Sequence, residues 1–280
     1  MARMLSSAIS PSPFDAYPSF TSPDPPMELK NTSTIQCNHC KDAEPLGFAI
    51  SFAYQPIVDC QQRRIVAYEA LVRGPNGESA GQVFEQVNSD NLYRFDQSCR
   101  VKAITLAKQL NMAERLHINF MPNAVYDPKL CIRTTLAAAQ ECGFATDKIV
   151  FEVVEGEKIT DHAHLNRIIR SYAEMGFYTA IDDFGAGYAG LNMLAEYQPH
   201  IIKLDRLLIS DIHANRVKQV IVRAIIEVCR ELEIELLAEG VELREEYQWL
   251  KTAGIVFFQG YYFARPGFEC LPGVASEVYD

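Results

Sequence analysis

Short apolar runs alternate with longer amphipathic stretches along most of this chain. From about Gly47 onward the runs include Leu116–Phe120, Ile149–Val153, Tyr178–Asp182, Ile201–Leu204, Glu235–Glu239 and Val256–Gln259. Each is short and bounded by turn or helix-start residues, the pattern of strands buried on both faces. Between them, Asp161 to Gly176 sets Leu165, Ile168, Ile169 and Tyr172 on one helical face, with Asp161 as N-cap and Gly176 as stop. Asn215 to Leu232 repeats the helical period with Val217, Val220, Ile221, Ala224, Ile225 and Val228. This strand–helix alternation predicts an α/β fold with a parallel sheet, and at this length a closed TIM-like (β/α)8 barrel is favoured over an open doubly wound sheet. No GxGxxG turn follows an early strand, which counts against a Rossmann domain.

The alternation is missing at the amino end. The first 26 residues are crowded with Pro and Ser and carry neither period, as in a segment that cannot offset its ordering entropy. The expected division is a disordered tail and linker over 1–46, one α/β domain over 47–268 and a C-terminal tail over 269–280. Within the linker, Cys37-Asn38-His39-Cys40 could supply half of a zinc site, but no second pair stands at zinc-finger spacing. Two free thiols near a domain boundary is the favoured reading.

Eight scattered cysteines and no signal-peptide core fit a reducing cytoplasm, and no stretch approaches the ~20 apolar residues of a membrane span. A formal charge of −10 argues against DNA binding through a basic surface. A phosphate ligand would need a metal cation between it and the carboxylates.

Such carboxylates stand at the ends of the apolar runs. Glu69, Asn119, Glu152, Asp182, Asp183, Lys203, Glu239 and Gln259 interrupt segments that buried strands would otherwise keep apolar. In a parallel barrel the strand C-termini open onto one mouth, so these residues converge. Taken singly, each is as well explained by a satisfied ion pair, a snorkelling lysine or a helix cap. Their joint placement shifts the balance toward a site. Five crowded carboxylates stay ionised only if cations hold them so. All the candidate ligands are oxygen donors and no histidine or cysteine joins them, which favours Mg²⁺ or Mn²⁺, with Ca²⁺ as an inhibitory competitor. Asp182-Asp183 is the natural place for two ions to share a ligand, and a two-ion centre clamps the attacking and leaving oxygens of a phosphoryl displacement. Lys203 would orient the water or offset developing charge. The glycines of Asp182-Asp183-Phe184-Gly185-Ala186-Gly187 suit a loop that tightens around metals or substrate.

These residues closely resemble the EAL family of cyclic di-GMP phosphodiesterases. Tyr68-Glu69-Ala70-Leu71-Val72-Arg73 carries its naming motif, after Gln55-Pro56-Ile57-Val58, and HINFMP, FEVVEGE, DDFGAGYAGL, IKLD, AEGVE and FQGYYFARP follow in the family's order. The resemblance implies that Glu69, Asn119, Glu152 and Asp182 hold one metal, and Asp182, Asp183 and Glu239 the second. It assigns Lys203 to the catalytic water, Gln259 a place beside the metals, and Glu155 the bracing of the loop after the aspartate pair. Gln55, Leu71, Arg73, Asp205 and Glu242 resemble substrate contacts, with Arg73 toward a phosphate and Asp205 or Glu242 toward guanine edges. Lys203, Glu239 and Glu69 are thus the expected catalytic core of hydrolysis of cyclic di-GMP to linear pGpG. A homodimer and a regulatory protein partner are expected too. The loop departs mildly from the family in its small residues, and no cyclase signature GGDEF occurs. The competing class is a weakly catalytic or inactive cyclic di-GMP receptor; metal-dependent enolisation and glycerophosphodiester hydrolysis fit the motif series less well.

Overall fold

Asp59 turns the chain back on itself. Its Oδ1 accepts from the backbone N–H groups of Gln61 and Gln62 at 2.8 and 2.9 Å, and a link this short permits only an antiparallel partner. Hence β1 (Ser51–Asp59) and β2 (Arg64–Arg73) form a hairpin in which Ser51 faces Arg73. The computed structural model describes residues 46–153, 162–186 and 191–280. The tail, Cys37 and Cys40, Glu155 and the expected cap Asp161 lie outside the described residues.

After the hairpin come α1 (Ala80–Phe84), α2 (Leu92–Gln109), β3 (Arg115–Phe120), α3 (Pro128–Cys131), α4 (Arg133–Cys142) and β4 (Ile149–Val153). They are followed by α5 (His162–Glu174), β5 (Tyr178–Phe184), α6 (Leu191–Glu196), β6 (Ile201–Leu204), α7 (Arg206–Ile209) and α8 (Arg216–Glu231). The last large elements are β7 (Glu235–Ala238), α9 (Arg244–Thr252) and β8 (Phe257–Phe258). Strands β2 to β8 pair in chain order and in parallel, and β8 pairs with β1 to close an eight-stranded barrel. The expected TIM-like barrel is therefore present, with one departure from eight parallel strands: β1 runs antiparallel to both neighbours. A short β9 (Gly267–Phe268) adds to the edge of β1, setting Phe268 opposite Ala53.

The main apolar layer lies between barrel and helices. Phe151, facing outward from β4, packs its ring 5.0 Å from those of Tyr172 and Phe177. Leu165, Ile168, Ile169 and Tyr172 of α5 are all buried, as their spacing predicts. Helix α8 begins as expected, with the Asn215 side chain accepting from the N–H groups of Val217 and Lys218. Its buried face overlaps the expected one only in part, at Ile225 and half-buried Val228. Val222, Ile225 and Cys229 are buried, whereas Val217, Val220 and Ile221 are 68%, 51% and 42% exposed. Both faces carry apolar residues, so period alone does not say which one meets the barrel.

The end of the chain packs on the barrel floor, where the β1–β2 turn lies. Tyr279 is buried, its carbonyl accepts from Tyr247 Oη and Lys251 Nζ, and Asp280 pairs with Arg63 at 2.7 Å. No helix among the described residues is long and apolar enough to cross a membrane.

Candidate active site

Alternate residues of a strand point to opposite faces, so each strand sends one residue in two into the barrel. At the mouth these inward positions are Glu69, Asn119, Glu152, Asp182 and Lys203, with Glu239 and Gln259 one residue past β7 and β8. The register sets Gln55 against Glu69 and Asn119 against Glu152.

Asp183 ought to point away from its neighbour. Instead the pairing of β5 with β6 breaks register between Ile181 and Phe184, and Asp183 takes a left-handed φ of 55°. Aspartate tolerates that conformation better than most residues. The irregularity re-aims the backbone as a bulge does. Carboxylate oxygens of Asp182, Asp183 and Glu239 thereby lie within 4.8 Å of one another, as do those of Glu69, Glu152 and Asp182. Asp182 belongs to both sets.

Lys203 is completely buried at the centre. Its Nζ lies 3.2 Å from Glu69 Oε2, 3.0 Å from Glu152 Oε2, 2.9 Å from Asp182 Oδ1 and 3.0 Å from Glu239 Oε2. Burial would lower the lysine pKa, but the four carboxylates outweigh it and hold the ammonium well above its usual range. One ammonium cannot neutralise four acids. Burial, reinforced by neighbouring carboxylates, pushes Glu152 and Glu239 well up against the pull of Lys203. Burial raises Asp182 too, yet Lys203 and hydrogen bonds prevail and leave it lowered. The site thus has an excess of acids that favours either protons or further cations.

Its hydrogen bonding points the same way. Asn119 Nδ2 donates to Glu69 Oε1 at 2.8 Å, and Gln259 Nε2 donates to Glu69 Oε2 at 2.8 Å and to Gln55 Oε1 at 3.3 Å. Asp182 Oδ1, Glu239 Oε2 and Gln259 Oε1 are buried acceptors without a hydrogen bond, although Lys203 is within ion-pair distance of the first two. The excess of carboxylates over the single ammonium, two overlapping carboxylate triples and an all-oxygen donor set fit a pair of hard divalent cations.

Behind these candidate ligands stands a histidine that the sequence analysis did not single out. His117 Nδ1 lies 2.6 Å from Glu152 Oε1, with both side chains buried. It stands two residues before Asn119 and so shares the inward face of β3; that spacing is the signal in the sequence that points to it. Burial, with Lys203 and Arg115 nearby, pushes its imidazole well below the usual range.

Of the remaining expected contacts, Gln55 meets the cluster through Gln259 Nε2, and the others have partners of their own. Leu71 and Arg73 are half-buried and line an apolar cavity of about 220 Å³ together with Asn119, Phe84 and Phe95. Gln55 Nε2 donates to Ala264 O at 3.1 Å. Asp205 caps α7 by accepting from Leu207 N at 2.7 Å, and Glu242 is ion-paired with Arg206.

Comparison with known proteins gives this arrangement a family. The EAL domain profile matches residues 48–266. The blue light- and temperature-regulated antirepressor BluF of Escherichia coli is 34% identical over 225 residues, 80% of this chain and 56% of its own. The cyclic di-GMP phosphodiesterase PdeR of Escherichia coli is 37% identical over 49% of this chain and 20% of its own. The chain thus spans about half or less of the length of these curated relatives. Among solved structures, a standalone EAL protein of Vibrio cholerae in its c-di-GMP-bound form is 52% identical, covering 84% of this chain and 99% of that one with a TM-score of 0.81. Klebsiella pneumoniae BlrP1, in complexes of cyclic di-GMP with calcium and with manganese, is similar at TM-scores of 0.77 and 0.75 with 36% and 37% identity. The calcium complex covers 83% of this chain and 59% of that one, and the manganese complex 80% and 57%. From the profile match and these relatives, the chain belongs to the EAL domain family.

Proposed function

We propose that this protein hydrolyses cyclic di-GMP to linear pGpG. The observation that carries the reading is the sharing of Asp182 between two carboxylate triples gathered around a buried lysine. Glu69, Asn119, Glu152 and Asp182 would hold one divalent ion, and Asp182, Asp183 and Glu239 the other. Bound there, Mg²⁺ or Mn²⁺ would supply Lewis acidity to the phosphoryl oxygens and lower the pKa of the attacking water. Lys203 orients that water and offsets charge growing on phosphorus, while Glu69 and Glu239 fix the position of the centre. Arg73 presents a planar fork to a phosphate. Leu71, Gln55 and Gln259 line the bed of the nucleotide, and Asp205 and Glu242 accept from guanine edges. For Glu242 this means exchanging Arg206 for the base. Ca²⁺ would compete for the same oxygen ligands and would support turnover poorly.

The test is release of pGpG with Mg²⁺ or Mn²⁺. Lys203→Ala is expected to lower kcat by about 10²–10⁴-fold, and Glu69→Ala to abolish turnover at any practical metal concentration. Binding without turnover under every metal condition would move the protein to the second reading, a cyclic di-GMP receptor acting on a protein partner. That reading draws on BluF, which is named an antirepressor.

The domain boundaries at 47 and 268, a cytoplasmic location and a regulatory protein partner belong to the same proposal. So does a homodimer. Its support is the exposed apolar stripe of Val217, Val220 and Ile221 on one face of α8. Contiguous apolar surface of this kind favours a protein neighbour.

A further inference from the structure

Glu152 is held from two sides. Lys203 Nζ meets its Oε2 at 3.0 Å from the mouth layer, and His117 Nδ1 meets its Oε1 at 2.6 Å. Glu152 and His117 are respectively 0% and 2% exposed, so no bulk water competes for either bond. His117 faces Val150 across the β3–β4 register, one inward layer below the Asn119–Glu152 pair. It therefore reaches the carboxylate from beneath and leaves the mouth side clear.

We propose that His117 is a positioning residue of the metal centre: its Nδ1–H clamps one Glu152 oxygen so that the other is aimed at the cation. This rests on the reading of Glu152 as a metal ligand. A carboxylate on a rotatable side chain can present either oxygen or swing between them. Fixing one oxygen with a buried donor removes that freedom before the ion arrives, and outer partners of this kind are worth about 10–100-fold in metal affinity. The role falls to His117 because Lys203 cannot fill it alone. The lysine is shared among four carboxylates, whereas the imidazole is directed at one.

The geometry separates His117 from a merely packed core residue. The bond is a single directed contact, so asparagine, whose Nδ2–H is placed much as the ring Nδ1–H is, should replace it. Leucine is similar in bulk but donates nothing. Spectroscopic Mn²⁺ binding to the full chain, followed by electron paramagnetic resonance without substrate, reads the effect independently of turnover. His117→Leu is expected to weaken Mn²⁺ binding by about 10–100-fold, and His117→Asn to stay within a few-fold of the unsubstituted protein. Thermal melting confirms that each variant folds. If the leucine chain does not fold, His117→Val, which matches its cross-strand neighbour, takes its place with the same expected loss. Unchanged Mn²⁺ affinity in the leucine or valine variant overturns the inference, as does an equal loss in the asparagine variant. Glu152→Gln is measured alongside. If that change also leaves Mn²⁺ binding intact, Glu152 is no ligand and the reading beneath the inference fails; if it weakens binding while His117→Leu does not, only the clamp fails.

Discussion

Lys203 illustrates how one residue type serves two opposed needs. A fully buried ammonium among four carboxylates is strongly stabilised in its charged form, and removing it strands the acids in a poorly solvated cavity. Lys203→Met should therefore destabilise the metal-free protein by about 3–5 kcal/mol, measured by urea unfolding, and saturating Mn²⁺ should recover part of the loss because the ion binds only the folded chain. Equal destabilisation with and without Mn²⁺ would contradict a shared role for lysine and metal. A second acid acts by itself. Glu235 is 8% exposed near the start of β7, neither of its oxygens has a hydrogen-bond partner, and burial raises its pKa from 4.5 to about 7 against the pull of Arg115. Between those values the folded protein binds more protons than the unfolded chain, so stability is full below pH 4.5 and falls as pH rises through about 7. The cost at high pH is roughly 3 kcal/mol. Glu235→Gln should flatten this slope in melting curves taken from pH 5 to 8; an unchanged slope would mean that another group sets it.

At the scale of elements, the strands that carry the chemistry are legible because a buried apolar run rarely ends on a charged residue unless that residue has a partner or a ligand to meet. The run Ile149–Val153 and its Glu152 are the clearest case, since both the strand and the inward position follow from period and burial. The hairpin is different: the contrast between β1 and the later strands lies in the length of one turn at Cys60–Arg63, not in the apolar pattern. The break in β5 is likewise invisible, because an adjacent aspartate pair in a strand says nothing of how the backbone turns both toward one cavity. His117 escapes the pattern although its spacing from Asn119 is plain, because a residue that supports a ligand need not share the ligand's own chemistry. On helix α8 the period does not decide which apolar face turns inward, and only Ile225 and Val228 of the expected set meet the core. Its exposed Val217, Val220 and Ile221 make a specific claim: Val220→Asp with Ile221→Asp should convert a dimer to a monomer in light scattering without lowering the melting temperature by more than a few degrees. A monomer before substitution would remove the dimer from the proposal.

For the molecule as a whole, closing the barrel gathers the acid cluster around Lys203 at one opening. The mouth carries this charge while Phe151, Tyr172 and Phe177 hold the wall behind it. The antiparallel first strand also decides where foreign sequence can be attached. Because Ser51 pairs with Arg73 at the rim while Asp280 meets Arg63 at the far side, a fusion spliced just ahead of β1 is tethered beside the acidic mouth. An affinity tag joined after Asp280 is tethered the length of the barrel away, and is the attachment that leaves the mouth unobstructed.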